Sequence, residues 1–276
     1  MKKLFILLLL AVSLSSIGQS LNVVSYNIRF NNPRDSVNAW PNRIEMVTSL
    51  LRFHQADIFG LQEALHGQIL DIAGAMPEFA WLGTGRDDGK QGGEFSPIFY
   101  NTSTFTLLES GQFWLSETPD VPSKGWDAAL PRICSWGKFK RNDSGKEFFL
   151  FNTHFDHIGQ KARAESALLI HAKIVELTGN SSTPVILTGD FNLTPETIPV
   201  QLMKQKMNDA YEVTQIPPYG PVGTFNGFRR NHPLDNRIDY IFVNDQVKVQ
   251  RYGALTDAWE NRWPSDHLPV LVTVTF

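Results

Sequence analysis

The chain has 276 residues, 42% of them hydrophobic and 12% aromatic, which suits one large α/β domain or two small ones and excludes wholesale disorder. Its formal net charge is −3, so the basic excess of a protein that grips long nucleic acid nonspecifically is missing. Cys134 is the sole cysteine, which excludes an intrachain disulfide; within 132–136, a strand-like run, it reads as a buried, inert thiol.

The chain begins with Met1, Lys2 and Lys3, an apolar run over 4–12, and small residues at Ser13, Ser15, Ser16 and Gly18. This is a secretory signal pattern, with cleavage expected after Gly18. The run is shorter than the roughly 20 residues that span a bilayer, so no membrane anchor is expected. The mature protein is expected to be exported, periplasmic or extracellular, and monomeric. Repeats and flexible linkers are missing from 22–276, which reads as one domain.

Residues 22–27 read as a first buried strand. Ile44, Val47, Leu50 and Leu51 recur at helical spacing over 42–53. A strand over 57–61 and a helix over 65–76 follow, then strands over 79–82, 98–100 and 105–113. The glycine-rich 83–93 reads as a hairpin loop, and 116–130 as a long loop. Residues 132–140 and 147–153 read as a hairpin turned at 142–145. A helix is expected over 161–177, with strands over 184–187, 237–243, 247–252 and 268–276. Repeated strand-helix-strand runs followed by hairpins predict an α/β sandwich of two packed mixed sheets, with helices outside.

Asn27, Glu63, His154, Asp190, Asn192, Asp239, Asp266 and His267 stand at or just beyond hydrophobic runs. Ligands of α/β folds bind at strand ends, so these tips are expected to share one cleft. One such tip alone is an ordinary turn former. Together they are hard oxygen donors plus two imidazoles, a set that suits Mg²⁺, with Mn²⁺ as substitute, rather than Zn²⁺. A zinc half-site at His154 and His157 is disfavoured because strand alternation puts them on opposite faces.

Ser25-Tyr-Asn27-Ile, Leu61-Gln-Glu63, Asn152-Thr-His154, Thr188-Gly-Asp190-Phe-Asn192, Arg237-Ile-Asp239-Tyr-Ile and Ser265-Asp266-His267-Leu-Pro resemble, in order, the motifs of the endonuclease/exonuclease/phosphatase superfamily. The stretches 113–119 and 223–228 look like a secreted bacterial branch similar to the nocturnin-like deadenylases. The resemblance implies a deoxyribonuclease I-like four-layered fold and Mg²⁺-dependent phosphoester hydrolysis. It implies Glu63 as principal metal ligand, helped by Asn27 and Asp266. Asp190 is implied to orient or deprotonate water, and Asn192 to contact phosphate. His267, held by Asp239, and His154 are implied at the phosphoryl group.

Arg29 stands where the family often has an acidic residue; it either binds substrate phosphate or is a salt-bridged strand residue. Arg132 is a candidate substrate cation or a strand-edge charge. Asn226 either meets substrate or caps its turn. Trp114, Trp126, Trp136, Phe225 and Phe228 are candidate aromatic walls, with core packing favoured for Trp136; Arg163 is a candidate to reach the cleft. The expected partner is a small phosphorylated sugar, inositol, nucleotide or lipid head group, with monoester and diester both open. Nuclease action on nucleic acid is the alternative. A noncatalytic secreted binding protein on the same fold is disfavoured, because every motif position is retained.

Overall fold

The computed structural model describes residues 20–179 and 182–276, so the leader expected over 1–18 lies outside the described residues. The first half contains β1 (Leu21–Asn27), α1 (Ile44–Phe53), β2 (Ile58–Gln62), α2 (His66–Ala75), β3 (Phe79–Leu82), β4 (Ile98–Asn101), β5 (Phe105–Trp114) and β6 (Ile133–Arg141). The second contains β7 (Glu147–His154), α3 (Gln160–Thr178), β8 (Val185–Asp190), α4 (Ile198–Lys204), β9 (Asn208–Asp209), α5 (Ala210–Val213), β10 (Asp239–Val243), β11 (Lys248–Ala254) and β12 (Val270–Thr275).

The strands build two six-stranded sheets, ordered β11-β12-β1-β2-β4-β3 and β5-β6-β7-β8-β10-β9. Both are mixed: β1 and β2 run parallel, as do β7 and β8, while β1–β12 and β8–β10 are antiparallel. Alternation explains the continuous hydrophobic runs. On β7, Phe148 and Leu150 face the core between the sheets, with Val23, Ile58, Phe139 and Ile186. Phe149 and Phe151 face the other way, beneath Ile170 and Ile174 of α3 and Met203 of α4. On the first sheet, Val24, Tyr26 and Phe59 pack under Val47 and Leu51 of α1 and Ile69 and Ile72 of α2. Burying each such side chain contributes about 1.5–3 kcal/mol. The result is the expected four-layered sandwich.

A polar layer interrupts the core between the sheets. Asn152 donates from Nδ2 to the carbonyls of Leu61 and Pro97 at 2.7 and 3.0 Å. Its Oδ1 accepts from Gln62 Nε2 at 2.7 Å and Thr188 Oγ1 at 2.9 Å. Gly60 makes room for this layer, since a Cβ there would lie 2.4 Å from both Asn152 Oδ1 and Thr188 Oγ1. The layer explains why β8 runs past the expected 184–187 to Asp190: polar Thr188 has buried partners.

β10 begins at Asp239, later than expected, because Arg237 turns aside into a buried ion pair with Asp209, 3.0 and 2.7 Å long. The short α4, β9 and α5, and the tight turns Pro33–Asn38 and Trp40–Asn42, lie outside the expected elements. The buried face of α3 is narrower than its sequence suggested: Ala162, Ser166, Ala167, Ile170 and Ile174 are buried, but Leu168 is exposed. No helix among the described residues is long and apolar enough to cross a membrane.

Candidate active site

Strand register assembles the site. His154 is paired with Asp190 across β7–β8, and Asp239 with Asp190 across β8–β10, so three adjacent strand ends are level. On the other sheet Asn27 pairs with Gln62, which puts Glu63 one residue beyond β2. Asp266 and His267 enter just before β12. Glu63, His154, Asp190, Asp266 and His267 line one cleft of about 470 Å³, with Asn27 and Asp239 buried behind it.

Three site residues hold left-handed backbones that side chains rarely adopt: Arg29 (φ 57°), Glu63 (φ 60°) and Asn192 (φ 52°). Each follows a strand terminus and bends the chain so that its side chain turns into the cleft, a cost of about 1–3 kcal/mol apiece that surrounding contacts must offset. Buried Arg43 supplies some of them. It donates to the carbonyls of Ile28, Arg29, Asn38 and Pro264, tying the segment that carries Arg29 to the one that carries Asp266.

One half of the cleft is acidic. Asn27 is fully buried behind the surface; its Nδ2 donates to Glu63 Oε1 at 3.1 Å and Asp190 Oδ2 at 2.9 Å, and its Oδ1 accepts from the Arg29 amide. It therefore positions two carboxylates. Arg29 sits 3.8 Å from Glu63 and 3.9 Å from Asp266, while bonded to Asp35 at 3.0 and 3.3 Å. It is thus both ion-paired and cleft-lining, and lies beyond β1 rather than in it. Burial, with Glu63 nearby, raises Asp266 above the ordinary carboxylate range despite His267 and Arg29. Glu63 and buried Asp266 are carboxylates that repel one another; their oxygens are hard ligands of the kind a divalent cation takes, and in this structure Arg29 supplies the positive charge between them.

Asp190, Asp239 and His267 also bring ligand atoms within 4.8 Å of one another. Their space is already filled by a hydrogen bond: His267 Nδ1 donates to Asp239 Oδ2 at 2.9 Å. A cation at Glu63 and Asp266 would instead meet two carboxylates that Arg29 now faces. Burial opposes charge on His267, but Asp239, Asp190 and Asp266 outweigh it and hold the imidazole well above its ordinary value. Burial and the Asp239 charge push Asp190 up to about 7, against His267 and the Asn27 hydrogen bond. A buried carboxyl near neutrality beside a cationic imidazole suits proton transfer at neutral pH.

Burial, Arg132 and Arg86 hold His154 well below its ordinary value, so it is neutral. Asn192 Nδ2 donates to His154 Nε2 at 3.0 Å, which leaves the ring proton on Nδ1. That proton points toward Glu94, whose Oε2 is 3.8 Å away.

The outer wall contains residues that sequence reasoning missed. Glu94, Leu130, His157 and Phe30 line the cleft with Arg132. His157 lies there because β7 ends at His154 and alternation lapses beyond it; its Nδ1 accepts from Arg132 Nη2 at 3.1 Å. Asp156, meanwhile, holds the loops together. Burial works against its charge, but the amides of Gly159, Ile158 and Ala129 and the Arg132 guanidinium bring it down to about 2. The pair of histidines flanking Phe155 and Asp156 was the available signal for His157. Glu94 had little signal beyond following Gly92 and Gly93.

Four expectations change. Asn226 does not meet the cleft: it is fully buried, donates to the Ser265 carbonyl at 3.1 Å and accepts from the Phe228 amide at 2.8 Å, so it shapes the turn that presents Phe225. Among the aromatic candidates only Phe225 lines the cleft. Trp114 is buried and donates to the Arg86 carbonyl at 2.7 Å, and Trp136 packs against Phe149 and Phe151. Arg163 lines a neighbouring hollow, with Leu193 and Ile198, rather than the cleft itself. Asp239 is fully buried and touches the cleft only through His267.

The fold is thus a two-sheet sandwich with acids, amides and imidazoles gathered at one edge. Residues 24–267 match the Endonuclease/Exonuclease/phosphatase family, and the chain belongs to it. Members of that family hydrolyse phosphoester bonds and generally use divalent metals. The chain is 48% identical, at a TM-score of 0.91, to an endonuclease/exonuclease/phosphatase family protein from Bacteroides thetaiotaomicron, over 94% of this chain and 98% of that one. It is likewise 48% identical, at a TM-score of 0.91, to a mannosyl-6-phosphatase from Bacteroides thetaiotaomicron VPI-5482, over 93% of this chain and 100% of that one. The human Nocturnin catalytic domain shares the fold at a TM-score of 0.73 and 19% identity, over 93% of this chain and 94% of that one.

Proposed function

We propose that the protein is an exported, Mg²⁺-dependent phosphatase that removes phosphate from a monoester of a small sugar-like molecule by in-line attack of water. The observation that carries this reading is one cleft joining Glu63 and Asp266 to buried Asp190 and to the His267–Asp239 pair. Likeness to a mannosyl-6-phosphatase supports the substrate class. The net charge of −3 and Glu94 on the outer wall argue against a long polyanion.

Glu63 and Asp266 would hold the metal, whose charge offsets that of the phosphoryl oxygens. Asp190, fixed by Asn27 and the Asn192 amide at 2.8 Å, orients a water and takes its proton. Cationic His267 donates from Nε2 to a phosphoryl oxygen, its other nitrogen being held by Asp239. Neutral His154 gives a hydrogen bond from Nδ1 at the leaving-group side, while the departing oxygen takes a proton from solvent and Asp190 returns to solvent the one it gained. No covalent nucleophile is required, because positioning and charge stabilisation supply most of the catalysis.

The test is phosphate release by the protein lacking residues 1–18, from mannose 6-phosphate, p-nitrophenyl phosphate, its bis-ester and a short RNA, with Mg²⁺ or EDTA. Mg²⁺-dependent release from the monoesters is expected, with Glu63→Gln lowering kcat/KM by about 10²- to 10³-fold. Absence of metal-dependent hydrolysis sinks the reading, and faster cleavage of the diester or RNA replaces it with a phosphodiesterase or nuclease. Export is checked by fractionating cells that make the full-length chain.

A further inference from the structure

The outer wall of the cleft holds polar groups that the phosphoryl chemistry does not use. Glu94 lies on the face of the cleft shared with His154. The loop that delivers it is tightly built: the Gly85 amide donates to the Lys90 carbonyl at 3.0 Å, and a Cβ at Gly85 would lie 2.1 Å from the Gly92 oxygen. The Arg86 amide donates to the Glu94 carbonyl at 3.0 Å, and the Arg86 guanidinium clamps the carboxylate at 2.6 and 3.1 Å. That clamp uses one acceptor site on each oxygen and leaves the others free.

Arg132 is the complementary partner. It is 5% exposed, and its Nε and Nη1 have no hydrogen-bond partner and almost no accessible surface, so a ligand oxygen reaches Nη1 with a small shift of the guanidinium, which lines the cleft. An unpaired buried donor on a guanidinium fixed by His157 and Asp156 is a recognition group awaiting an acceptor. A hydroxyl both donates and accepts. A carboxylate acceptor and a guanidinium donor on one wall are therefore matched to a run of neighbouring hydroxyls, each able to bridge the two. A second phosphate would meet Glu94 and be repelled.

Resting on the phosphatase reading above, we infer that Glu94 and Arg132 form a polyol-recognition wall that favours phosphate monoesters of polyhydroxylated leaving groups over those with an aromatic leaving group and disfavours a second phosphate. Their contacts are with the part of the substrate that departs, not with the transferred phosphoryl group. The alternative role for Glu94 is to orient His154, 3.8 Å away. That role bears on every substrate alike, and the two are separable.

The experiment measures kcat/KM of wild type, Glu94→Gln and Arg132→Lys on mannose 6-phosphate and on p-nitrophenyl phosphate, with Mg²⁺. The readout is the ratio of the two values for each protein, which does not depend on the fraction of enzyme that folds. Losing a hydrogen bond to a charged group lowers this ratio by about 10- to 100-fold in each variant, whatever the change in the p-nitrophenyl phosphate value itself. An unchanged ratio, whether activity falls on both substrates or on neither, overturns the inference and in the first case assigns Glu94 to His154. Wild-type activity on p-nitrophenyl phosphate but not on mannose 6-phosphate also overturns it while leaving the phosphatase reading intact. Activity on neither removes both.

Discussion

Asp190 is costly to keep charged, and Asp190→Asn exposes that cost. Its carboxyl is fully buried, and burial with the neighbouring Asp239 pushes it from an ordinary 3.8 to about 7. Folding therefore favours the protonated form. The penalty is absent below about pH 4, grows as pH rises, and is complete above about 7, where the folded protein must ionise it. At about 1.4 kcal/mol per pH unit the span corresponds to about 4 kcal/mol, and sharing with His267 and Asp239 reduces what substitution recovers to about 2 kcal/mol. Asparagine keeps an oxygen for the Asn27 amide and carries no charge, but its Nδ2 faces the Asn192 amide that the second carboxylate oxygen accepted from, a loss contained in that reduction. In EDTA at pH 8 the variant should melt about 4–8 °C higher than wild type, with a gain that shrinks toward zero near pH 4, and it should be inactive at both. The measurement is thermal denaturation followed by circular dichroism across that range. A variant no more stable than wild type at pH 8, or a gain independent of pH, refutes the argument that this carboxylate is held against its own solvation.

Two further outcomes follow from burial. Cys134 is completely buried and desolvation pushes its thiol up, so it should ignore dithionitrobenzoate in the native protein and react fully in guanidinium, seen as thionitrobenzoate absorbance. Arg237 is 2% exposed, pairs with Asp209 and lies 4.6 Å from the ring centres of both Tyr211 and Tyr240. Arg237→Met leaves Asp209 buried without its cation and should cost about 3–5 kcal/mol in denaturant unfolding, part of which Asp209→Asn restores in the double variant.

The reacting end of the site was legible in the sequence because its residues sit where hydrophobic runs stop. Asn27, Glu63, His154, Asp190 and His267 are fixed to strand ends, so once the strands pair, their convergence follows from register. Asn192 adds a left-handed turn to the same logic. The outer wall was not legible in this way. Glu94 reaches the cleft through a glycine loop whose path depends on close backbone approach, which leaves no periodicity to read. His157 was misjudged by extending alternation past the last residue of β7. Asn226 carries the same polar amide as Asn27, and only its buried partners show that it serves a turn. The short α4 and α5 have too few residues for a repeating apolar pattern, whereas central strands such as β2, β8 and β10, buried on both faces, announce themselves.

The Asn152 layer has a consequence for how the enzyme can fail. Glu63 and Asp266 hang from one sheet, Asp190 and His154 from the other, and Asn152 with Gln62 and Thr188 joins the two sheets directly beneath them. The reactive centre is thus a hinge line, and its dimensions are set by how far apart two slabs stand. A small slip between slabs leaves every strand intact yet parts Asp190 from Glu63 and Asp266. Catalytic output in this protein is in effect a gauge of sheet spacing, read by chemistry long before the sandwich comes apart.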